Sequence, residues 1–421
     1  MKTALFFFSI LLIVIGFHCS DRERNNPLDP DNTDSGGRPT GFYAYAEKNI
    51  VKIHWQPINA IDLSGYTLYR RKAGNQFREL VSLAPDVHRY EDVVDQYGIT
   101  YDYKMTVLAG AYESRPTKVA KVTPGPTFTW LADPGDGAVK KFTHDLGYAL
   151  SMFSGAYSPF RIALNSARQN HWIFSRYSGT IYKIDSYGNA IAQVNVGMPT
   201  LWDMDVDTLR NELWVARYGQ GMVTLISHNA QVLHSIYDIG HPLAVAVDSR
   251  LQLGWVIDDS SKKVFRLQNH YGRLRIEDSY DFTNPKAIAL DENDQRMWVA
   301  DSSRIVRMSY EGRVERVIDS PYYARLIALN VQNGDIWYID RRASGEFASL
   351  VKCDSDGNML FEREVFYDPV AIVVNEFNGD CLVADLSYEH LGVWRCSNSG
   401  VIEHVIENVR PFDLDIEYTG H

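Results

Sequence analysis

The chain has 421 residues, of which 45% are apolar and 23% are charged, as in a globular protein with several buried cores. Its formal net charge of −11 at pH 7 argues against nucleic acid or an anionic membrane surface as a general partner. The 4 cysteines are too few for a disulfide framework.

The N-terminus has the pattern of an export signal. Lys2 precedes an apolar stretch, residues 4–17, that is shorter than the roughly 20 residues needed to cross a bilayer. Cys19 follows it, and a polar segment rich in Asn, Asp and Pro comes next. This arrangement resembles a bacterial lipoprotein signal, which implies lipidation of Cys19; ordinary cleavage after Gly16 is the alternative.

We therefore predict an exported lipoprotein of the bacterial cell envelope, in the outer membrane or at the surface. Residues 1–18 are the predicted signal peptide, and residues 19–37 are the predicted polar tether. The predicted contact with the membrane is the lipid on Cys19.

Residues 38–124 carry short alternating strands separated by turn residues, a pattern typical of a β-sandwich. Trp55, a strand around Tyr66, and Tyr101 have the spacing of the core tryptophan, third strand and corner tyrosine of fibronectin type III domains. The segment resembles that family, which implies a spacer or an adhesive module. We predict a spacer.

From Trp130 onward an apolar strand, usually led by tryptophan, recurs about every 40 to 45 residues, a period that indicates a β-propeller with one blade per repeat. The copies begin at Trp130, Trp172, Trp214, Trp255, Trp298, Trp337 and Leu382. Each repeat also has a strand that follows a proline and ends in an acidic or amide residue. These prolines are Pro159, Pro199, Pro242, Pro285, Pro321, Pro369 and Pro411.

The two landmarks are offset in a way that predicts how the ring closes. No proline strand precedes Trp130, and no Trp strand follows Pro411, so the last strand can complete the first blade. We predict an all-β chain, with a sandwich followed by a seven-bladed propeller over residues 126–421. Six blades is the alternative if residues 130–157 are not a true blade.

The repeat unit, a proline followed by Ile-Ala-Val-Asp-like and Val-Ala-Asp-like strands and a glycine turn, resembles NHL and related YVTN-type propellers. The resemblance implies a fold more than a function, because such propellers include protein scaffolds, lyases and lactonase-like hydrolases.

In such propellers the loops that enter the proline strands and those that follow the Trp strands share one face. Aromatic residues and arginines, which are enriched at binding surfaces, recur there. The candidate binding residues are Arg176, Tyr177, Trp202, Arg217, Tyr218, Tyr322, Tyr323, Arg341 and Tyr388. Phe160, Arg342, Tyr367, His390 and Phe412 share these loops, and for Phe160 and Phe412 packing between blades is the preferred interpretation.

Carboxylates replace small residues on two of the proline strands. Asp205 and Asp415 stand where other repeats have Ala or Val, and Asp203 and Asp413 add two more. A shared channel mouth could bring them together as oxygen ligands for calcium or another divalent cation. The preferred interpretation is solvated acids in a water-filled channel, with no cofactor.

The preferred function is a propeller face that binds a protein or a glycan at the cell surface. The alternative is a metal-dependent, lactonase-like or lyase-like enzyme that uses the four aspartates. Cys353 and Cys396 are predicted to be buried strand residues, and a bridge between Cys381 and Cys396 is left open.

Overall fold

The computed structural model describes residues 27–59, 62–197, 201–341 and 347–419. The predicted signal peptide and Cys19 lie outside these residues. Within them the regular structure is β-strand, apart from two one-turn 3-10 helices, Ser166–Arg168 and Tyr218–Gln220. This part of the chain contains no helix long and apolar enough to cross a membrane.

The N-terminal segment forms two sheets. One contains three strands in the order β1-β2-β5, and the other has the order β4-β3-β6-β7 with β8 also paired to β6. The rings of Trp55 and Tyr66 are 5.4 Å apart, and Tyr101 is buried with them. The strands are β1 (Tyr43–Glu47), β2 (Ile50–His54), β3 (Leu63–Lys72), β4 (Arg78–Leu83), β5 (Arg89–Val93), β6 (Tyr101–Ala109), β7 (Tyr112–Glu113) and β8 (Ala120–Val122).

By contact density the chain divides into two compact units. Among the described residues, the first consists of those in 27–44, 53–90 and 101–121, and the second of those in 45–52, 91–100 and 122–419. The predicted boundary near residue 125 falls between the end of β8 at Val122 and the start of the next strand at Thr127.

The remaining strands of the described chain form seven four-stranded antiparallel sheets, here called blades 1 to 7. Blade 1 contains β9 (Thr127–Asp133), β10 (Ala138–Phe142), β11 (Ala149–Phe153) and β36 (Asp413–Tyr418). Blade 2 contains β12 (Pro159–Asn165), β13 (Asn170–Ser175), β14 (Thr180–Asp185) and β15 (Ala190–Asn195). Blade 3 contains β16 (Asp203–Asp207), β17 (Glu212–Arg217), β18 (Met222–Ile226) and β19 (Val232–Ile236).

The other blades have the same plan. Blade 4 contains β20 (Pro242–Asp248), β21 (Leu253–Asp258), β22 (Lys263–His270) and β23 (Arg273–Asp281). Blade 5 contains β24 (Pro285–Asp291), β25 (Arg296–Asp301), β26 (Arg304–Ser309) and β27 (Val314–Asp319). Blade 6 contains β28 (Ala324–Leu329), β29 (Ile336–Arg341), β30 (Ala348–Cys353) and β31 (Met359–Phe366). Blade 7 contains β32 (Pro369–Val374), β33 (Cys381–Asp385), β34 (Gly392–Cys396) and β35 (Ile402–Glu407).

The blades form a closed ring through their innermost strands. These strands contact one another in the order β36, β12, β16, β20, β24, β28, β32 and back to β36. Blade 1 is completed by β36, which pairs with β9 from Asp413–Ala132 to Tyr418–Thr127. This is the arrangement of a β-propeller, and the described sheets match the predicted number of blades and the predicted closure by the last strand.

Apolar clusters between neighbouring blades hold the ring together. In one of them, Trp214 and Val223 of blade 3 pack with Val245, Val256 and Leu267 of blade 4. Burying several large side chains at such an interface contributes about 1.5 to 3 kcal/mol for each. The Trp strands are therefore the cores of the blades, as their sequence pattern indicates.

A polar contact also recurs between blades. On the third strand a lysine or arginine lies opposite the tryptophan of the second strand, and its charged end donates to a backbone carbonyl in the next blade. We call this contact the inter-blade staple. It joins Lys141 to Ser186, Lys183 to His228, Arg266 to Tyr310, Arg307 to Ser355 and Lys352 to Asn398, with N···O distances of 3.1, 2.8, 2.9, 2.7 and 3.4 Å.

Candidate functional site

The order of the strands places the loops of each blade on two faces. Successive loops in an antiparallel sheet lie at alternate ends. The loops between second and third strands therefore share a face, here the upper face, with the loops that lead to the next innermost strand. The predicted binding residues belong to these loops.

A chain of aromatic rings crosses the upper face of blades 1 to 4. Successive ring centroids are 5.7, 6.4, 5.5 and 4.8 Å apart, which is the range for favourable aromatic pairs. We call this chain the aromatic arc; its members are Phe412, Phe160, Trp202, Tyr218 and His241. Trp202 is 41% exposed, whereas Phe160 is buried, as the packing interpretation predicts.

Positive charge lies against one end of the arc. The guanidinium carbons of Arg161 and Arg176 are 4.3 and 4.9 Å from the centre of the Phe160 ring. Tyr177, next in the chain, is 74% exposed. The structure thus connects three of the predicted binding residues: Trp202 contacts Tyr218, and Arg176 is linked to Trp202 through the ring of Phe160.

The other predicted binding residues have different surroundings. Arg217 donates to the backbone carbonyl of Val196, which makes it a support for the neighbouring loop. Arg341 forms an ion pair with Asp368 at 3.2 Å in the loop leading to blade 7.

Tyr322, Tyr323 and Tyr388 are farther along the ring than the arc, on the loops of blades 6 and 7. The Tyr323 hydroxyl accepts a hydrogen bond from Asn284, and Tyr388 is almost fully exposed. Tyr367 and His390, also on blade 7, stack edge to face at 4.7 Å. Arg342 lies outside the described residues.

The aspartate at the end of the second strand orders the upper-face loops. Asp258 accepts from the backbone N–H of His241 at 2.6 Å, and Asp301, Asp340 and Asp385 accept in the same way from the loops of their blades. Burial raises the pKa of Asp258, but hydrogen bonds from Ser261, His241 and Ser260 outweigh it and lower that pKa to about 2. These repeated aspartates fix loop geometry.

The innermost strands of blades 1 and 3 carry the four predicted metal-binding aspartates. One carboxylate oxygen of each accepts from a backbone N–H of the next blade's innermost strand, on its unpaired edge. These bonds join Asp413 to Ile162, Asp415 to Leu164, Asp203 to Val245 and Asp205 to Val247, at 2.8, 3.2, 2.9 and 2.8 Å. The carboxylates therefore satisfy sheet edges that no further strand covers.

Burial raises the pKa of each of these aspartates. It raises the pKa of Asp203 to about 6, of Asp205 to about 7 and of Asp415 to about 8, and it raises the pKa of Asp413 as well. Repulsion from Asp413 and Asp205 further raises the pKa of Asp415, so the aspartates of blades 1 and 3 interact across blade 2. The guanidinium of Arg161 lies 3.9 Å from the carboxylate of Asp203. It lowers the pKa values of Asp203 and Asp413 and so opposes part of the increase that burial causes.

The described residues contain no group of three or more His, Cys, Asp or Glu side chains that could hold a metal ion. Calcium sites in proteins use about six to eight oxygen ligands. In this arrangement one oxygen of each of the four aspartates already accepts from a backbone N–H.

Glu417, at the lower end of β36, is the centre of a buried cluster that the sequence patterns did not indicate. It is bound by Trp130 Nε1 at 2.8 Å, Lys141 Nζ at 2.7 Å and Ser186 Oγ at 2.7 Å. His171 Nε2 lies 3.0 Å from Ser186 Oγ. The only sequence signal for this cluster is a glutamate where the other repeats end in Asn or Asp.

A serine, a histidine and a carboxylate in contact resemble a hydrolytic triad in composition, but not in arrangement. In a triad the histidine takes the proton of the serine and the carboxylate orients the histidine. Here Ser186 donates directly to Glu417, and all three side chains are buried. Although burial raises it, the pKa of Glu417 is lowered to about 2 by His171 and Lys141, so the cluster is a charged contact between blades 1 and 2.

The lower face has a cavity that the sequence analysis also missed. It measures about 490 Å³ and lies between blades 5 and 6, with Asp291, Asp294, Arg296, Arg307, Asn333 and Asp356 among its lining residues. The polar loops that line this cavity contain no residue that departs from the repeat pattern, so nothing in the sequence indicated the cavity.

Comparisons with known proteins identify the fold but no family. No protein-family model matches the chain, and no curated protein matches it. A protein of unknown function from Desulfotomaculum acetoxidans is similar with a TM-score of 0.59 and 11% identity, over 70% of this chain and 99% of that chain.

Two other solved structures have named activities. A Bacteroides fragilis protein proposed to be a 6-phosphogluconolactonase has a TM-score of 0.56 and 11% identity, over 69% of this chain and 98% of that chain. Hydrazine synthase from Kuenenia stuttgartiensis has a TM-score of 0.53 and 10% identity, over 71% of this chain and 93% of that chain. At such identities the similarity shows a propeller-like fold and nothing about activity.

Proposed function

We propose that the chain is an exported, lipid-anchored envelope protein whose propeller binds a protein or a glycan on its upper face. The type III-like segment acts as a spacer between the lipid on Cys19 and the propeller. The observation that carries the proposal is the aromatic arc, in which Trp202 is partly exposed beside Tyr218 and Arg176 lies against Phe160.

The arc has the chemistry of a contact surface. Rigid aromatic rings provide contact area at a low cost in side-chain entropy, and nearby arginines and carboxylates can form hydrogen bonds that orient a ligand. The rings pack against one another, and Asp258 binds the backbone N–H of His241 at one end of the arc, so the surface is formed before a ligand arrives.

The test compares upper-face and lower-face aromatic residues of similar exposure. Tyr177 and Tyr187 lie at opposite ends of the same strand, β14, and are 74% and 78% exposed. Wild type, Trp202→Ala, Tyr177→Ala and Tyr187→Ala are applied to a glycan array and to solubilised envelope proteins of the producing cell.

We expect at least one glycan or protein to bind wild type and Tyr187→Ala, and to bind Trp202→Ala at least about tenfold more weakly. Melting temperatures should agree within a few degrees, because the Trp202 side chain is only partly buried. If all four proteins retain the same ligands, or if Trp202→Ala loses stability as much as binding, the arc is not the binding site.

The second candidate is a metal-dependent, lactonase-like or lyase-like enzyme that uses Asp203, Asp205, Asp413 and Asp415. The observation that favours it is the electrostatic interaction of the two aspartate pairs across blade 2, since carboxylate oxygens are the ligands that hard divalent cations prefer. Metal analysis of the purified chain, with melting curves before and after chelation, separates the two candidates. One cation per chain, lost in Asp205→Asn, would support the enzyme, and a metal-free protein with an unchanged melt would contradict it.

A further inference from the structure

Two of the buried cysteines face each other across a strand pair in blade 7. Cys381 on β33 is directly opposite Cys396 on β34. Both are fully buried in one apolar cluster that includes Trp337 and Phe366. The register that brings them together could not be read from the sequence, although both strands could.

The spacing of opposed residues matches that of a disulfide. Residues directly opposite in an antiparallel pair have Cα atoms about 4.5 to 5.5 Å apart and side chains on the same face of the sheet. Disulfides join residues whose Cα atoms are about 4.4 to 6.8 Å apart. The two thiols also interact electrostatically, since Cys396, after burial, contributes to raising the pKa of Cys381.

The third buried cysteine lacks such a neighbour. Cys353 on β30 lies opposite Ile336 on one side and Met359 on the other. It belongs to a different apolar cluster, together with Trp298 and Tyr338. Cys353 is therefore an internal control with the same burial.

We propose that Cys381 and Cys396, free thiols in this structure, form a disulfide when the chain folds in an oxidising compartment. For the chain in the cell this rests on the proposed export. The oxidant is a low-molecular-weight or protein disulfide. Both S–H bonds and the oxidant's S–S bond break, a bond forms between the two Sγ atoms, and the two protons and two electrons leave with the oxidant as two thiols.

Burial determines when this reaction can take place. Burial raises the pKa of the Cys396 thiol to about 11, so its reactive thiolate is scarce at neutral pH once the cluster has closed. Oxidation is fast only while the β33–β34 hairpin is still open to solvent. A chain folded in reducing conditions should therefore oxidise much more slowly than a chain that folds with the oxidant present.

The bond would also constrain the upper face. The disulfide closes a loop of about 15 residues. Closing a loop of this size lowers the equilibrium constant for unfolding by a factor on the order of 100. That loop carries Tyr388, a predicted binding residue that is 97% exposed. The link would thus fix the base of one loop on the proposed binding face.

The test counts thiols in the full chain. The chain is refolded with oxidised glutathione, or recovered from the exported fraction without reductant, then denatured and alkylated before and after reduction. We expect two additional labels after reduction, and a link between tryptic peptide 364–395 and the tryptic peptide that begins at Cys396, which continues past Arg410 because Pro411 blocks cleavage there. Cys353→Ala should keep this link, whereas Cys381→Ala and Cys396→Ala should lose it.

Refolding with glutathione tests the geometry without reference to export, so its failure is distinct from a failure of the proposed function. Equal labelling before and after reduction of the refolded chain would overturn the proposal. A link that forms on refolding but is absent from the exported chain would overturn it for the cell. A rise in melting temperature of about 5 °C on oxidation, lost in Cys396→Ala and kept in Cys353→Ala, would support it.

Discussion

Aspartates in neighbouring blades of this propeller have opposite pKa shifts. Asp258, at the end of a second strand, receives several hydrogen bonds, and its pKa falls to about 2. Asp205, on an innermost strand, receives two backbone hydrogen bonds, but burial and nearby carboxylates raise its pKa to about 7. The number of donors around a carboxylate therefore decides whether its charge is stabilised.

The raised pKa values give a pH dependence of stability. A carboxyl group whose pKa is higher in the folded state than in the unfolded state favours folding most in its protonated form. Its contribution is greatest below about pH 4 and is lost as pH rises through the folded pKa. For Asp203, Asp205 and Asp415 that loss extends from about 4 to between about 6 and 8.

We expect Asp415→Asn to flatten this dependence. The amide oxygen can still accept from Leu164, while the charge that burial and the other aspartates disfavour is removed. The melting temperature of wild type should fall from about pH 5 to about pH 8.5, and that of Asp415→Asn should fall less and be higher at the alkaline end.

Asp354→Asn is the control for this experiment. Hydrogen bonds from Asn358 lower the pKa of this exposed turn residue, so its effect lies at more acidic pH. A wild type whose melting temperature rises over the same interval, or an Asp415→Asn variant with an unchanged slope, would contradict the assignment.

At the scale of the strand, the inter-blade staple explains why basic residues recur inside apolar repeats. The side chain of Lys183 covers Trp172, with its nitrogen 5.1 Å from the ring centre, and its end reaches His228 of the next blade. Long basic side chains can bury their stems in this way while the charged end keeps a polar partner. In blade 3, Leu225 takes this position, so a staple is not required of every blade.

Replacing the staple lysine should destabilise the interface it joins. Lys183→Met keeps most of the apolar stem but removes a hydrogen bond from a charged donor to the His228 carbonyl, and such bonds contribute about 1.5 to 3 kcal/mol. Lys263→Met is the matched control, because Lys263 makes only a surface ion pair with Asp281, worth about 0 to 1 kcal/mol. Chemical denaturation measures both, and equal losses would show that the staple adds nothing.

At the scale of the whole molecule, the ring depends on a pair of strands far apart in the chain. β36 pairs with β9 along its whole length and contributes Glu417 to the buried cluster with Trp130 and Lys141. Without β36, blade 1 would expose the edge of a fully buried strand.

We predict that a chain lacking residues 409–419 has an open blade 1 that a peptide of those residues can complete. Blade 1 should be cleaved by protease in the truncated chain and protected when the peptide is added, because strand addition restores both the pairing and the apolar contacts. An Ile416→Asp peptide is the control. Protection without peptide, or equal protection by both peptides, would show that closure does not depend on this strand.

The sequence was sufficient to predict contacts within blades, because the spacing of Trp130 and its repeats sets strand order and the closing strand. It was insufficient for contacts between blades. Asp203 and Asp415 could be predicted to lie near one channel, but not to accept from Val245 and Leu164, since those bonds depend on the offset between neighbouring strands. The sequence identified Trp202 and Tyr218 as binding residues but not the rings that they contact. Those contacts also depend on how neighbouring blades are placed.

Ring closure also has a consequence for the timing of biogenesis. Because β9 is made early and β36 late, a nascent chain cannot complete blade 1 until nearly all of the propeller has been synthesised. Pairing across so long a separation is slow, because a large loss of chain entropy precedes any gain in contacts. Blade 1 is therefore the last blade to be completed, whereas each of the other six blades can assemble from four strands that are consecutive in the chain.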